Sequence, residues 1–294
     1  MTLEQLRIFI AVAEREHLTQ GANALNLTQS AVSSAIATLE ARYATKLFDR
    51  IGRRIALTDA GRLFLSEARA VLTRAAAAEA VLSDLSGLAR GSLALMASQT
   101  VANYWLPPLI QRFRLDHPGI TVSLAIGNTE TVSTAIHDGA ADLGFIEGEI
   151  DDPALAMVPV AEDELVIVAP ADHPWTQAPP SPAELKQGSW ILREPGSGTR
   201  AMFEAALPGL GLAPPDLAIA LELPSNEAIC AAVAAGAGMT AISRLVAANA
   251  IAAGKLATVE LPLPKRRFLA LRHKERYLAK SAAAFLALAG NYTS

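Results

Sequence analysis

The sequence contains a single cysteine among 294 residues, and aromatic side chains make up only 5% of it. Cys230 alone cannot form an intrachain disulfide or a cysteine-based metal site, and no electropositive neighbour is evident that would activate its thiol. We therefore predict a small, buried side chain at this position and a reducing, cytoplasmic compartment.

Apolar runs long enough for a membrane helix are also missing. The uncharged segment 228–243 is the best candidate, but its 16 residues are fewer than the roughly 20 that a helix needs to cross a bilayer. The N-terminal segment has scattered charges and lacks the basic start, apolar centre and cleavage site of an export signal. We expect no membrane partner.

Reactive constellations are absent from the sequence as well. None of the five histidines has a second histidine four residues away, and there is no pair of cysteines that could complete a metal site. Gly196-x-Gly198 is too short for a P-loop or a dinucleotide-binding fingerprint. The sequence therefore predicts no enzyme activity, no metal site and no cofactor.

The charge of the chain is distributed unevenly. The formal net charge is −4, but residues 1–90 hold 11 Lys and Arg against 9 Asp and Glu, whereas residues 91–294 hold 14 against 20. Five basic residues fall between Arg42 and Arg54. A local positive patch of this kind is typical of proteins that contact DNA phosphates.

Three helices are predicted within the first 58 residues. Thr2 and Gln5 are spaced as a reciprocal helix cap, and apolar residues recur on one face of the helix that follows. A second short helix is predicted over about 19–25. After a turn, Thr28 can cap a third helix.

The third helix has a small polar face opposite its apolar stripe. The residues on and beside this face, all near the N-terminus of the helix, are Thr28, Gln29, Ser30, Ser33 and Ser34. A helix in the major groove presents its N-terminal residues to base edges, and Gln can pair bidentately with adenine. We therefore predict a DNA-recognition helix.

A short hairpin is predicted after this helix, with Gly52 at its turn. Its arginines are Arg50, Arg53 and Arg54. Such a run of charge usually serves only to keep a hairpin solvated, which is the alternative here. Beside a helix-turn-helix we predict instead that these arginines contact DNA phosphates.

One long helix is predicted from Asp59 to about residue 86, because this segment has no proline and its only glycine lies near the start. Apolar residues recur along it at heptad spacing: Phe64, Ala68, Val71, Ala75, Ala78, Leu82 and Leu85. Such a seam favours a partner helix and hence a dimer. Packing of the seam against its own chain is the alternative.

From residue 91 onwards, short apolar segments alternate with helical ones, which is the pattern of a parallel α/β sheet. We predict two lobes, with lobe I at about 91–163 and 265–294 and lobe II at about 164–264. In such sheets a ligand lies beyond the C-terminal ends of the strands, where helix N-termini direct N–H groups into the crevice.

Polar side chains at these strand ends are the candidate effector-binding residues. They are Ser98, Thr100, Asn128, Thr129, Glu147, Ser197, Thr199, Arg200 and Glu227. Hydroxyl donors, together with an arginine at the positive end of a helix dipole, favour an anionic effector. Each hydroxyl taken singly could equally be a helix cap. Lys265, Arg266 and Arg267 are predicted to form a solvated strand entry, with a second DNA surface as the alternative.

Several motifs together resemble the LysR-type transcriptional regulators. In the N-terminal region they are Ala31-Val32-Ser33, Ile36, Leu39-Glu40, Leu47-Phe48, Arg50, Arg53 and Leu57-Thr58-x-Ala60-Gly61. Farther along, the segments 97–113, 127–132, 142–148 and 191–200 are most similar to the branch that includes regulators of carbon-dioxide fixation and of sulfite reduction. Ser30 and Ser34 depart from the family, where proline and a basic or amide residue are frequent.

This resemblance covers essentially the whole chain and implies its organisation. The implied domains are a winged helix-turn-helix at 1–58, a linker and dimerisation helix at 59–90, and a two-lobed effector domain of periplasmic-binding-protein type at 91–294. The implied partners are promoter DNA, a small-molecule effector, further copies of the chain in a dimer or a dimer of dimers (a homotetramer), and RNA polymerase. The rival hypothesis is a solute-binding protein without regulatory DNA binding.

Overall fold

The computed structural model describes residues 1–51, 54–85, 91–148 and 150–292, and at positions 50, 51, 54, 80 and 83–85 it describes the backbone only. The chain forms two compact units. The first runs to Leu85 and includes Asp138–Ala140, and the second holds the remainder of the described chain.

The first unit consists of three helices, a hairpin and a long helix. Its elements are α1 (Leu3–Ala13), α2 (Leu18–Ala24), α3 (Gln29–Tyr43), β1 (Phe48–Ile51), β2 (Arg54–Leu57) and α4 (Asp59–Leu85). This is the predicted order of a winged helix-turn-helix followed by a linker helix, and the fold class is confirmed.

Local capping sets where these helices begin. Thr2 and Gln5 form the predicted capping box, with backbone-to-side-chain distances of 3.0 and 3.2 Å. The Oγ1 of Thr28 accepts a hydrogen bond from the N–H of Ala31 at 3.3 Å. The second helix begins at Leu18, slightly earlier than predicted, because the ring nitrogen Nδ1 of His17 caps it by accepting from the N–H of Gln20.

Aromatic packing in the first unit decides which face of α4 is buried. The ring of Phe9 in α1 lies 4.9 Å from the ring of Phe64, and Ala68 has no exposed surface. Ala68 is fully buried in the core of its own unit, so its assignment to an intersubunit seam is wrong. Phe64 packs against that core but keeps part of its surface exposed, and its place in the seam stays a prediction. Val71 and Leu82, at 41% and 69% exposure, remain candidates for a partner helix.

The remaining seam positions differ in their exposure. Ala75 is half-buried and Ala78 is exposed, while the side chain of Leu85 lies outside the described residues. Leu63, which does not occupy a predicted heptad position, is 72% exposed. The exposed apolar stripe on α4 therefore includes Leu63 in addition to the predicted positions Val71, Ala78 and Leu82.

Within its described residues, the second unit forms nine strands and eight α-helices. The strands are β3 (Gly91–Ser98), β4 (Ile120–Gly127), β5 (Leu143–Glu147), β6 (Leu155–Pro170), β7 (Ser189–Arg193), β8 (Ala218–Leu223), β9 (Thr240–Ser243), β10 (Leu256–Val259) and β11 (Lys265–His273). The helices are α5 (Gln99–Tyr104), α6 (Leu106–Asp116), α7 (Thr129–Asp138), α8 (Pro182–Gln187), α9 (Gly198–Ala206), α10 (Asn226–Ala234), α11 (Arg244–Ala252) and α12 (Lys280–Gly290).

The long strand β6 connects the two lobes of this unit. Its first part, Leu155–Glu164, pairs antiparallel with β11, and its last part pairs with β9 and β10. In lobe I, β3 lies parallel between β4 and β5, and β11 lies antiparallel beside β5. Lobe II adds the parallel pair β7 and β8. The predicted lobe boundary near 163–164 thus falls within one continuous strand.

Each lobe has its own aromatic core. Trp105 packs 6.0 Å from Phe145 and 5.9 Å from Phe268 in lobe I, and Trp190 packs 5.0 Å from Phe203 in lobe II. Within the described ranges no helix is long and apolar enough to span a membrane.

Candidate DNA-binding face and effector cleft

The exposed side of α3 carries the predicted DNA-contacting residues. Thr28, Gln29, Ser30 and Ser34 are exposed, and Ser33 is half-buried. Opposite them, Val32, Ile36 and Leu39 lie in the core. The first two turns of α3 therefore present a surface of small polar side chains, which allows the helix to approach a groove closely.

The hairpin after α3 is only partly described. The backbones of β1 and β2 pair from Phe48↔Leu57 to Ile51↔Arg54. Gly52 and Arg53 lie outside the described residues, as do the side chains of Arg50 and Arg54. Phosphate contacts by these three arginines remain a prediction.

Glu40 anchors this hairpin to α3. Its side chain is almost fully buried; Oε1 accepts hydrogen bonds from the N–H groups of Leu47 (2.7 Å) and Phe48 (3.2 Å), and Oε2 lies 3.0 Å from the Nζ of Lys46. Burial raises the pKa of Glu40, but these hydrogen bonds and the charge of Lys46 outweigh it, so the pKa lies below its usual value.

We expect Glu40→Gln to lower the free energy of unfolding at neutral pH by about 1–3 kcal/mol, because it replaces an ionic acceptor of buried N–H groups. Since folding lowers this pKa, the stabilisation is present above the unfolded-state pKa and is lost as the pH falls through the folded-state value. Urea titrations followed by circular dichroism should therefore show the difference from wild type shrinking in acid. The exposed Glu67→Gln is the control, and a difference independent of pH would contradict this role.

The predicted effector-binding residues are brought together where lobes I and II meet. Ser98 ends β3, Glu147 ends β5, Thr129 begins α7 and Ser197 caps α9. This is the arrangement of strand ends and helix N-termini that the sequence predicts for a ligand cleft.

The carboxyl group of Glu147 lies at the centre of this cleft and is 1% exposed. The Oγ of Ser98 donates to its Oε2, and the Oγ1 atoms of Thr199 and Thr100 lie 3.1 and 3.5 Å from its Oε1. The Oγ1 of Thr129 donates to the backbone oxygen of Glu147 at 3.1 Å. Four predicted ligand-binding hydroxyls thus contact one residue of the protein itself, three of them at its side chain and one at its backbone.

The two lobes approach closely here because Gly198 has no side chain. A Cβ at this position would lie 2.5 Å from the Oγ1 of Thr129 and would also clash with the backbone oxygen of Glu147. The N-terminus of α9 can therefore pack directly against the end of β5.

Arg266 was predicted in a solvated strand entry, and this is wrong. Its side chain is 0% exposed, and its Nε donates to the Oδ2 of Asp163 at 2.6 Å. Its Nη1 donates to the Oγ1 of Thr199 at 3.0 Å, and Ser243 donates to the Oδ1 of Asp163 at 2.9 Å. Lys265 and Arg267, on either side, are exposed.

Asn226 and Arg193 extend the buried network into lobe II. The Nδ2 of Asn226 donates to the Oγ1 of Thr100 at 3.1 Å, and its Oδ1 accepts from the Nη1 of Arg193 at 2.6 Å. The backbone N–H of Asn226 donates to the Oε1 of Gln99 at 2.7 Å. Arg193 is not among the predicted ligands, and Asn226 stands next to one of them, Glu227.

Arg200 and Glu227 are engaged by other side chains of the protein. Arg200 donates from Nε to Glu204 at 2.7 Å and from Nη1 to Glu222 at 2.5 Å. These carboxylates compensate its charge at the helix N-terminus, so no bound anion is needed to do so. Glu227 is exposed and accepts hydrogen bonds from Asn103 and Tyr104, each at 3.2 Å.

Ser197 and Asn128 occupy the remaining predicted positions. The Oγ of Ser197 caps α9, 3.5 Å from the N–H of Arg200, and the Nδ2 of Asn128 donates to Glu194 at 3.2 Å across the two lobes. A cavity of about 1220 Å³ lies beside them, and its lining includes Thr129, Ser197 and Arg266.

Family comparisons agree with both parts of the chain. Residues 3–62 match the family described as "Bacterial regulatory helix-turn-helix protein, lysR family", and residues 86–293 match "LysR substrate binding domain". The chain belongs to the LysR family. The LysR-family relatives it matches are named as transcriptional regulators, not as enzymes.

Two relatives and one solved structure illustrate the placement within the LysR family. An uncharacterized HTH-type transcriptional regulator, YeiE of Escherichia coli K12, is 36% identical over 97% of this chain and 96% of its own. A probable RuBisCO transcriptional regulator of Synechocystis is 33% identical over 97% of this chain and 84% of its own. The regulatory domain of Synechocystis CcmR, solved in complex with 2-PG, is 29% identical, with a TM-score of 0.62, over 68% of this chain and 96% of its own. The predicted branch is thereby confirmed.

Proposed function

We propose that this LysR-family regulator binds promoter DNA through the polar face of α3 and the hairpin arginines, and that a small anionic effector in the cleft sets its DNA affinity. The observation that carries the DNA-binding part is the exposed polar start of α3 within a family-matched helix-turn-helix. A recognition helix needs this combination of small side chains and hydrogen-bonding groups.

The anionic effector is supported by the chemistry of the cleft. Its buried hydroxyls can donate hydrogen bonds, and the Nη2 of Arg266 is a further buried N–H donor. Oxyanions are the ligands best matched by a cluster of donors at helix N-termini. The CcmR regulatory domain, a structural neighbour of the second unit, holds the ligand 2-PG.

Assembly is proposed to proceed through α4 in the cytoplasm. Its exposed apolar residues Leu63, Val71 and Leu82 suit pairing with α4 of a second copy, giving a dimer or a dimer of dimers. Two copies of α3 would then read a palindromic site. RNA polymerase is a further proposed partner at the promoter.

An effector can alter DNA affinity only if it binds one arrangement of the assembled protein better than another. We expect one class among sulfur oxyanions, phosphorylated sugars and small carboxylates to change promoter affinity about fivefold or more. Fluorescence anisotropy with a promoter fragment recovered by genome-wide mapping measures this directly.

Thr100→Val is the matched variant, since it removes one hydroxyl of the cleft and keeps the shape of the side chain. It should retain ligand-free DNA affinity and lose most of the ligand response. A response confined to cationic or apolar ligands, or none at all, would contradict the proposal.

A further inference from the structure

The donors expected to hold an effector anion already hold a group of the protein. Ser98, Thr199 and Thr100 direct their hydroxyls at the two carboxyl oxygens of Glu147. A hydroxyl has one proton to donate. An effector anion cannot receive these hydrogen bonds while the carboxyl group of Glu147 occupies this position.

Two of these hydroxyl groups also accept a hydrogen bond from another side chain. The Oγ1 of Thr199 lies 3.0 Å from the Nη1 of Arg266, and the Oγ1 of Thr100 lies 3.1 Å from the Nδ2 of Asn226. Guanidinium and amide nitrogens only donate, so each threonine accepts from them and must direct its own proton towards Glu147. The surroundings of Glu147 are therefore built for an acceptor group with two oxygens.

A second observation points to a ligand at this place. The Nη2 of Arg266 is buried and has no hydrogen-bond partner in the part of the chain that the structure describes. Arg266 is one of the residues that line the 1220 Å³ cavity, as are Gly148, which follows Glu147 in the chain, and Gly198, which packs against the backbone of Glu147. An unpaired buried donor beside a cavity is a place where an acceptor atom of a ligand would be stabilised.

The charges of the neighbouring side chains determine whether such a ligand binds beside Glu147 or replaces its carboxylate. The positive charge of Arg266 is already opposed by Asp163, with which it shares a 2.6 Å hydrogen bond. A second anion beside the Glu147 carboxylate would bring two like charges together away from water, which is strongly unfavourable. Replacement satisfies the same donors without bringing the ligand's charge beside the carboxylate of Glu147.

We propose that Glu147 is a tethered internal ligand of the effector cleft, and that an effector binds by displacing its carboxylate with one of its own carboxylate or tetrahedral oxyanion groups. The displacing group receives the hydrogen bonds of Ser98, Thr100 and Thr199 and adds one from the Nη2 of Arg266. This inference rests on the proposed function, because it assumes an anionic effector in this cleft.

Titration calorimetry of the full-length protein with sodium sulfate and sodium phosphate tests the displacement. Glu147→Gln removes the charge and keeps the shape, and Glu147→Ala empties the position altogether. We expect both variants to bind at least one of the two anions about tenfold or more tighter than wild type, with the larger gain in Glu147→Ala.

Two further variants separate displacement from a general change of charge. Glu130→Gln removes an exposed carboxyl group that lines the same cavity, and its affinity should stay within about twofold of wild type. In the Glu147→Ala background, Thr199→Val should abolish most of the gain, because the anion then lacks a donor from lobe II. Thermal unfolding shows whether each variant is folded. If Glu147→Ala does not fold, the anion affinity of Glu147→Gln alone tests the inference.

Unchanged or weaker anion affinity in the folded Glu147 variants would overturn the inference, and so would a gain that persists with Thr199→Val. The proposed function is tested separately by promoter affinity. If the Glu147 variants gain anion affinity but no anion alters promoter binding, the internal ligand stands and the proposed effector control fails. If an anion alters promoter binding by wild type and Glu147→Gln binds that anion no tighter, the internal ligand is overturned and the proposed function stands.

Discussion

Asp163→Ala should lower the free energy of unfolding by about 3–5 kcal/mol, because it leaves the buried guanidinium of Arg266 without its counter-charge. The two side chains are 1% and 0% exposed and are joined by a 2.6 Å hydrogen bond. Ser243 would also lose the acceptor of its hydroxyl. Chemical denaturation of the full-length protein measures the loss.

The neighbouring residue provides a matched control. Glu164 forms an ion pair with Arg244 in which the side chains are 52% and 48% exposed. Exposed pairs of this kind contribute about 0–1 kcal/mol, so Glu164→Ala should be nearly neutral. Equal losses for the two variants would contradict the distinction between the buried and the exposed pair.

Ser34→Glu is expected to abolish specific promoter binding while leaving the fold intact. Ser34 is exposed on the polar face of α3, where a carboxylate would be repelled by DNA phosphates and could not replace the contacts of a small hydroxyl. A mismatch at one base contact costs about 1–3 kcal/mol. In a palindromic site, the substitution would affect one contact in each of the two half-sites. We therefore expect a loss of at least about a hundredfold in anisotropy titrations.

Ser66→Glu is the matched control for this charge. Ser66 is exposed on α4 in the same unit, outside the helix and hairpin that we propose to contact DNA, and should retain near wild-type affinity. Equal losses for Ser34→Glu and Ser66→Glu would show that net charge, and not the face of α3, determines binding.

Local sequence signals predicted the elements that position both sites. Thr2, Gln5 and Thr28 act through hydrogen bonds within three residues, so the starts of α1 and α3 follow from spacing alone. The clustering of Ser98, Thr129, Glu147 and Thr199 likewise follows from a general rule about strand ends. The sequence could thus place the cleft without showing what occupies it.

Contacts between distant residues account for what the sequence did not reveal. Arg266 stands in a basic triplet that resembles a solvated surface, and its partner Asp163 lies 103 positions earlier in the chain. The heptad spacing of α4 could not show that Ala68 is buried within its own unit or that Phe64 packs against α1. This packing depends on the position of Phe9 in the folded unit.

The role of Glu147 was hidden for a different reason. The sequence predicts Glu147 as a ligand from its position at a strand end, although its carboxylate has the same sign of charge as the expected effector. The structure shows why a carboxylate lies among residues predicted to bind an anion: Glu147 itself receives the hydrogen bonds of Ser98, Thr100 and Thr199. Charge complementarity within a predicted site is therefore the signal that could have identified it earlier.

The central claim, that the polar face of α3 makes this chain a sequence-specific regulator, is tested most directly by genome-wide mapping of its bound sites in cells that carry wild type or Ser34→Glu. The account predicts discrete wild-type sites upstream of genes, sharing a palindromic motif, and their loss in Ser34→Glu at equal protein abundance. The same sites in both strains, or no enriched sites with wild type, would contradict it.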